Sequence, residues 1–552
     1  MGPAHGSMIG AITGVRFTNL RGDIYGGVTA AVVALPLALA FGVASGVGAI
    51  AGLYGAIFVG LFAALFGGTA TQVSGPTGPM TVVMASIFTH FADRPALAFT
   101  TVILGGVLQV VFGVLKLGRY VAFVPFTVIS GFMSGIGCII IAIEIAPLFG
   151  HEASKHGVLD AIAAIPAAVS APNWHATIIG VATLAIVSFT PKAVARIVPA
   201  PLIALIAGTL GVLWMLPGAP VIGEIPTGLP APVIPHITLA ALSQVVMSAF
   251  ILALLGTIDS LLTSLIADNV TGTHHNSDKE LIGQGIGNMV AGLFGGIPGA
   301  GATMRTMVNI RAGGRTPLSG VIHALVLLAL VAGLAPLAEK IPLAVLAGIL
   351  LKVGYDIIDW DYFRRIRGDD VTGIVVMTTV LVLTVLVDLI MAVGVGIIMA
   401  SLLSAARMSD EQVKNLLVVG KDWESVPMND LDRAVLATAK GRIMLVHFDG
   451  AFSFCSAKNI TLAVPEFQGE RAIVIDCSDQ TSFDTSSVMA IDALVQRAQS
   501  QGIAVVIAGA GNAAVAHLAA MRVLDEVPED NRLATRTQAL KRAAELAADR
   551  AA

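Results

Sequence analysis

The charge is segregated along the chain. Residues 1–407 carry 18 Lys+Arg and 17 Asp+Glu, whereas the much shorter stretch 408–552 carries 14 and 19. A soluble globular protein is about one-quarter charged. The first 407 residues are far below that, and the whole chain is 56% hydrophobic and 12% charged. A chain so depleted in charge folds with its apolar surface in a bilayer. Three segments follow from this: 1–20 as an N-terminal cytoplasmic stretch, 21–407 as a transmembrane domain, and 408–552 as a cytoplasmic domain with a C-terminal tail. Disordered, collagen-like and disulfide-scaffold classes are excluded, the last because there are only three Cys. A net charge of -4 argues against nucleic-acid binding.

A membrane helix needs about 20 apolar residues. Fourteen candidate segments begin near Ile24, Ala49, Thr77, Ala96, Ala122, Thr177, Pro199, Ser243, Glu280, Thr303, Leu318, Pro342, Val371 and Asp388. An even number puts both termini on one side. With the termini inside, 14 basic residues fall in cytoplasmic loops (among them Arg16, Arg21, Lys279, Arg311, Arg315 and Arg407), against Arg94, Lys155 and Lys340 outside. That bias obeys the positive-inside rule and places the chain in the cell's inner (plasma) membrane with cytoplasmic termini. Arg16 and Arg21 precede a long apolar run without a small-residue cleavage pattern, so no cleavable signal is expected.

Two segments are interrupted. Residues 69–80 read T-A-T-Q-V-S-G-P-T-G-P-M and residues 295–306 read G-G-I-P-G-A-G-A-T-M-R-T. Each Gly/Pro-rich stretch opens a short helix, at the third position of each seven-segment half. Non-helical backbone at membrane depth is tolerated only inside protein or along a cavity. A matched pair points to a transporter site between inverted repeats, where half-helix N-termini favour an anion. The bland alternative is that these residues only kink or closely pack the helices.

Asp259 lies inside the eighth segment, with Thr263 one turn later on the same face. An intramembrane carboxylate is costly and marks function by default. With hydroxyls and free carbonyls it makes a hard oxygen site for a small cation; alternatively it carries a proton or makes a structural hydrogen bond. Arg305, two residues into the tenth segment, either attracts the anion or pairs with a carboxylate. Glu144 and Asp388 read as boundary residues, and His274 and His275 as members of a polar loop. No phosphate-binding loop, zinc motif or nucleophile elbow occurs, so neither enzymatic chemistry nor a cofactor is expected. In the tail, 442–449, 471–477 and 503–508 read as strands and 485–500 as a helix, a small α/β domain. Asp484, in S-F-D-T-S-S, fits a helix N-cap. Residues 531–552 read as a peripheral helix or a frayed end.

These motifs resemble the SulP (sulfate permease) family of anion transporters and the STAS domain that follows its transport domain. The resemblance rests on R-G-D-I-Y-G-G from Arg21, S-G-P-T-G-P-M from Ser74, A-D-N-V-T-G-T-H-H-N-S-D-K-E from Ala267 and V-N-I-R-A-G-G-R-T from Val308. Within the family they look closest to cyanobacterial bicarbonate transporters of the BicA type. The resemblance implies a seven-plus-seven inverted repeat with core and gate domains. It places an anion at Thr77, Ala302 and Thr303 with Arg305 beside it, and sodium at Asp259, Thr263, Gly301 and Thr303. It also implies homodimers and STAS-binding regulators, with Ser486 matching a phosphorylatable Ser. The implied activity is sodium-coupled bicarbonate uptake; proton-coupled sulfate or dicarboxylate transport and a passive anion channel are the alternatives. Met304 departs from the family pattern of a hydroxyl residue before the Arg, and BicA-type members do not typically keep that Arg.

Overall fold

The architecture comes from a computed structural model, which describes residues 17–119, 125–153, 158–195, 198–223, 232–234, 241–365, 371–387, 389–414, 416–419, 428–449, 452, 457, 460, 462–480 and 482–549. The chain divides into two compact units, Met1–Ile398 and Met399–Ala552.

The first unit is helical. Its first half holds α1 (Leu20–Ala44), α2 (Ala49–Phe66), α3 (Gly78–His90), α4 (Pro95–Val114), α5 (Phe126–Leu148), α6 (Val158–Ser170), α7 (Trp174–Phe189) and α8 (Ala200–Trp214). The second holds α9 (Leu242–Thr271), α10 (Ser277–Leu293), α11 (Thr303–Arg311), α12 (Pro317–Ala338), α13 (Leu343–Ile357), α14 (Val371–Leu386) and α15 (Leu389–Lys414). Each of the fourteen expected apolar segments falls on a helix. Those placed near Ala122 and Asp388 begin at Phe126 and Leu389, since 120–124 and 388 lie outside the described residues. Among the described residues, six helices are long and apolar enough to cross a membrane, or seven if the pair α6–α7, bent by 113°, is one span. Helix α6 is an addition to the sequence reading: only its Ala161 and Ala168 are buried, and Pro166 and Asp160 interrupt its apolar run.

Contacts divide these helices into two groups. Helices α1, α2, α4 and α9 to α12 pack on one another; α5 to α8, α13 and α14 form the second group. Helices α1 and α3 meet the second group through α5, α8 and α13. The first group is closely packed because glycines let backbones touch. A Cβ on Gly106 of α4 would lie 2.5 Å from the Gly285 carbonyl of α10, and the reverse contact is equally close. Membrane helices associate through such small-residue contacts, since lipid gives apolar side chains no incentive to leave it.

The second unit contains a five-stranded sheet, β3 (Leu416–Val419), β4 (Ile443–Phe448), β5 (Ala472–Asp476), β6 (Ala504–Ala508) and β7 (Arg532–Leu533), in that spatial order. β3 is antiparallel to β4 and the remaining pairs are parallel. Period-two alternation sends Val446, Phe448, Ile473 and Ile475 to one face, where Ile491 and Leu494 of α17 (Thr485–Ser500) cover them. Leu445, Val474 and Val506 point to the other, under α16 (Asp430–Ala439) and α19 (Arg536–Asp549). Helix α18 (Ala513–Ala520) lies between β6 and β7 in the chain. The C-terminal stretch is therefore no frayed end: Ala539, Leu540 and Ala543 of α19 are fully buried.

Candidate functional site

The two interrupted segments meet. Ser74–Gly75 (β1) pairs antiparallel with Ala300–Gly301 (β2), Ser74 opposite Gly301 and Gly75 opposite Ala300. The pairing is extended at the Val73 end. Ala302 N–H donates to the Val73 carbonyl at 3.0 Å, and Val73 N–H donates to Thr306 Oγ1 at 3.0 Å. Glycine is required at the crossing: Gly75 has φ +152°, and a Cβ on Gly299 would lie 2.5 Å from the Gly75 carbonyl carbon. Unpaired backbone cannot survive at membrane depth, and here the interrupted stretches satisfy each other.

Immediately after this crossing each stretch starts a helix. Thr77 is the N-cap of α3 and Ala302 that of α11, and neither side chain caps its helix. Pro79, in the first turn of α3, is tolerated there because it removes only an N–H that has no helical partner. Two helix N-termini with uncapped N–H groups thus open from one short sheet, an arrangement suited to an anion.

The candidate cation residues come together around them. Thr77 Oγ1 donates to Asp259 Oδ2 at 2.7 Å. Thr263 Oγ1 donates to the Gly301 carbonyl at 2.9 Å and shares a hydrogen bond with Thr303 Oγ1 at 2.8 Å. Asp259 and Thr263 thus stand one turn apart on α9, and Thr263 reaches the Gly301 carbonyl and Thr303 at the start of α11; carboxylate, hydroxyl and carbonyl oxygens are the donors a hard cation takes. Asp259 also lines an apolar cavity with Leu255, Ile258 and Leu262 of α9, Val128, Phe132 and Met133 of α5, and Val393 of α15.

Arg305 is held by backbone rather than by a carboxylate partner among the described residues. It is 2% exposed, and its Nη2 donates to the Pro76 carbonyl, the peptide preceding Thr77. Its Nη1 is buried without a hydrogen-bond partner, and no described carboxylate lies within ion-pairing distance. It therefore ties α11 to the start of α3 and leaves positive charge behind the paired helix N-termini. Met304, by contrast, is 49% exposed.

A polar stripe missed in the sequence supports the crossing. Glu280, Gln284 and Asn288 recur every fourth residue on α10 and form one face. Glu280 Oε2 accepts Gly68 and Thr69 N–H, both at 2.9 Å, and its Oε1 accepts Gln72 and Gln284 Nε2, both at 2.8 Å. Gln284 Nε2 also donates to Ser74 Oγ at 2.6 Å, and Asn288 exchanges two bonds with Gly299. Ser260 Oγ accepts Gly301 N–H at 3.0 Å. The i, i+4, i+8 spacing was the available signal; reading Glu280 only as the start of an apolar segment obscured it.

Two long motifs turn out to be partners. Asp23 accepts Arg315 N–H at 2.8 Å, Thr316 N–H at 3.0 Å and Thr316 Oγ1 at 2.7 Å, which locks R-G-D to G-G-R-T. His275 pairs with Asp268 at 2.6 Å and bonds Ser277, so the His pair's loop is structural. Glu144 is not a boundary residue: it is 4% exposed within α5. Asp388 lies outside the described residues. In the second unit, Asp484 caps α17 by accepting Ser487 N–H at 2.8 Å, and Ser486 is half-buried in its first turn.

Residues 20–382 match the sulfate permease family and residues 434–537 the STAS domain. The chain belongs to the sulfate permease family. Its relatives include a protein of Synechocystis sp. described as bicarbonate transporter BicA, 46% identical over 534 residues, which are 96% of this chain and 95% of that one. The solved transmembrane domain of a cyanobacterial bicarbonate transporter BicA superposes with a TM-score of 0.66 at 52% identity, over 69% of this chain and 98% of that one. A structure of SLC26A9 gives 0.81 at 17% identity, over 96% of this chain and 91% of that one, a likeness of fold alone. The sulfate permease fold of this chain is thus a polytopic helical membrane domain followed by a STAS domain, and its relatives are transporters.

Proposed function

We propose that this protein is a secondary transporter of bicarbonate coupled to sodium, working by alternating access. The observation that carries the reading is the Thr77–Asp259 hydrogen bond of 2.7 Å, which joins the anion-facing helix start to the candidate cation site. Charge supplies the coupling. Two helix N-termini and Arg305 attract an anion, while Asp259 repels it. Sodium at Asp259, Thr263, Gly301 and Thr303 neutralises that carboxylate, so each ion favours binding of the other; such coupling is reciprocal by linkage. The α1–α4 and α9–α12 helices then move as a core against the remaining helices, carrying both ions. The description of the 46%-identical relative as a bicarbonate transporter supports the substrate.

Uptake of labelled bicarbonate into proteoliposomes, with and without an inward sodium gradient, tests this reading. Sodium-stimulated uptake is expected; uptake indifferent to sodium contradicts the coupling. A second reading is proton-coupled uptake of sulfate or a dicarboxylate, favoured by the unpaired Arg305 charge, which suits a divalent anion. Competition by sulfate and fumarate separates the two. The protein is expected to act as a homodimer in the plasma membrane with both termini cytoplasmic, and Ser486 is the candidate phosphorylation site through which regulators act on the STAS domain.

A further inference from the structure

Two glutamates are deeply buried in the membrane unit, and they differ. Glu280 accepts four hydrogen bonds from two backbone N–H groups and two amides. Glu144 has no hydrogen-bond or ion-pair partner among the described residues and is 4% exposed. It lines a small cavity with Phe41 and Ala44 of α1, Thr81 and Ala85 of α3, Ile140 of its own helix and Leu350 of α13. The cavity-lining residues on α1, α3, α5 and α13 include no other titratable or charged side chain. Thr81, 2% exposed, likewise has an Oγ1 without a partner. A buried ionised carboxylate without compensation is prohibitively costly, whereas the neutral acid is tolerated.

The cavity lies where the two helix groups meet. α5 and α13 belong to one group, while α1 and α3 carry the other's surface toward them. Thr81 is also one turn beyond Thr77, with its N–H donating to the Thr77 carbonyl at 2.9 Å. Movement of α3, the helix that starts at the anion site, would therefore open or close the cavity over Glu144.

We propose that Glu144 is a proton-binding site that controls the sliding of the two helix groups. With a proton bound, Glu144 is neutral and the groups close over it. When the cavity opens, the proton passes to water and the carboxylate becomes hydrated. The closed packing then re-forms only after Glu144 takes a proton back from water. This inference rests on the transport reading above, but the site concerns a residue that touches neither proposed ion. Because the neutral form is the one required, transport falls as pH rises.

Glu144→Gln, an isosteric mimic of the neutral acid, tests it. Initial rates of sodium-driven bicarbonate uptake are measured for variant and wild type in parallel from about pH 6 to about pH 9. Comparison at each pH cancels the titration of bicarbonate itself. The ratio of variant to wild-type rate is expected to climb with pH, approaching about tenfold per unit once most sites are empty. A ratio constant across the range overturns the proposal. A second measurement needs no transport: the infrared band of protonated carboxylic acid in wild-type membranes at neutral pH, diminished in Glu144→Gln. A band of equal intensity in variant and wild type, or its absence from the wild type, also overturns it. If the wild type takes up no bicarbonate while the band behaves as expected, the substrate reading fails and the proton site stands.

Discussion

Thr77 is the residue at which the two proposed ion sites touch, and Thr263 is the one that holds the cation side together. Thr263 bonds both the Gly301 carbonyl and Thr303 Oγ1 from a fully buried position. Thr263→Val keeps the volume and removes the hydroxyl. The sodium concentration for half-maximal uptake is expected to rise roughly tenfold, equivalent to about 1.4 kcal/mol, with the maximal rate at saturating sodium retained. Sodium titration of uptake measures it. Glu280 plays a structural part, so its replacement reads out differently. Glu280→Gln turns one acceptor oxygen into a donor facing existing donors, and each buried group left unsatisfied costs about 1–3 kcal/mol. The detergent-solubilised protein is expected to melt several degrees lower. Asp259 could be read from the sequence because a carboxylate in an apolar run is conspicuous. Glu144 was misread because it lies four residues from the end of its helix, Leu148, and helix ends are where charged side chains usually escape to water. Only the packing of α1, α3 and α13 over it shows that it does not.

At the scale of elements, the crossing of β1 and β2 fixes the geometry of the candidate site. Gly299→Ala places a methyl 2.5 Å from the Gly75 backbone. Overpacking of this kind costs about 1–3 kcal/mol, enough to reduce uptake about tenfold or more while the protein still reaches the membrane; uptake normalised to surface expression checks this. Both interruptions were legible from Gly and Pro alone, since no continuous helix accommodates them. Their antiparallel pairing was not, because four residues of β-structure leave no periodicity. In the STAS domain the ends of β4 and β5 carry a charge cluster. Burial raises the Asp476 carboxyl, but His447 Nδ1 at 2.9 Å, Ser478 N–H at 3.0 Å and Arg536 outweigh it and hold Asp476 well below the usual carboxylate range. An acid depressed in the folded state contributes stability above its unfolded value, about 3.9, and loses it as pH falls further. In the full-length protein, protease resistance of residues 408–552 is expected to drop on acidification below about pH 4, less steeply in Asp476→Asn than in the wild type.

At the scale of the whole molecule, charge segregation and apolar runs were sufficient for the fold class. They define a membrane unit and an α/β unit, as found. The division of the helices into two packed groups was not available from composition. It depends on glycine contacts such as Gly106–Gly285 and on which faces meet, which no window of hydropathy encodes. The candidate site was legible where sequence breaks a rule, at Thr77, Asp259 and Thr303, and hidden where residues obey one, as along the stripe of α10. The account makes Asp259 the point where two fluxes become one. The most direct measurement imposes an inward bicarbonate gradient on proteoliposomes with equal sodium on both sides and follows labelled sodium. The account predicts sodium accumulation driven by bicarbonate, abolished in Asp259→Asn. Bicarbonate entry with no movement of sodium, or sodium accumulation unchanged in the variant, would contradict it.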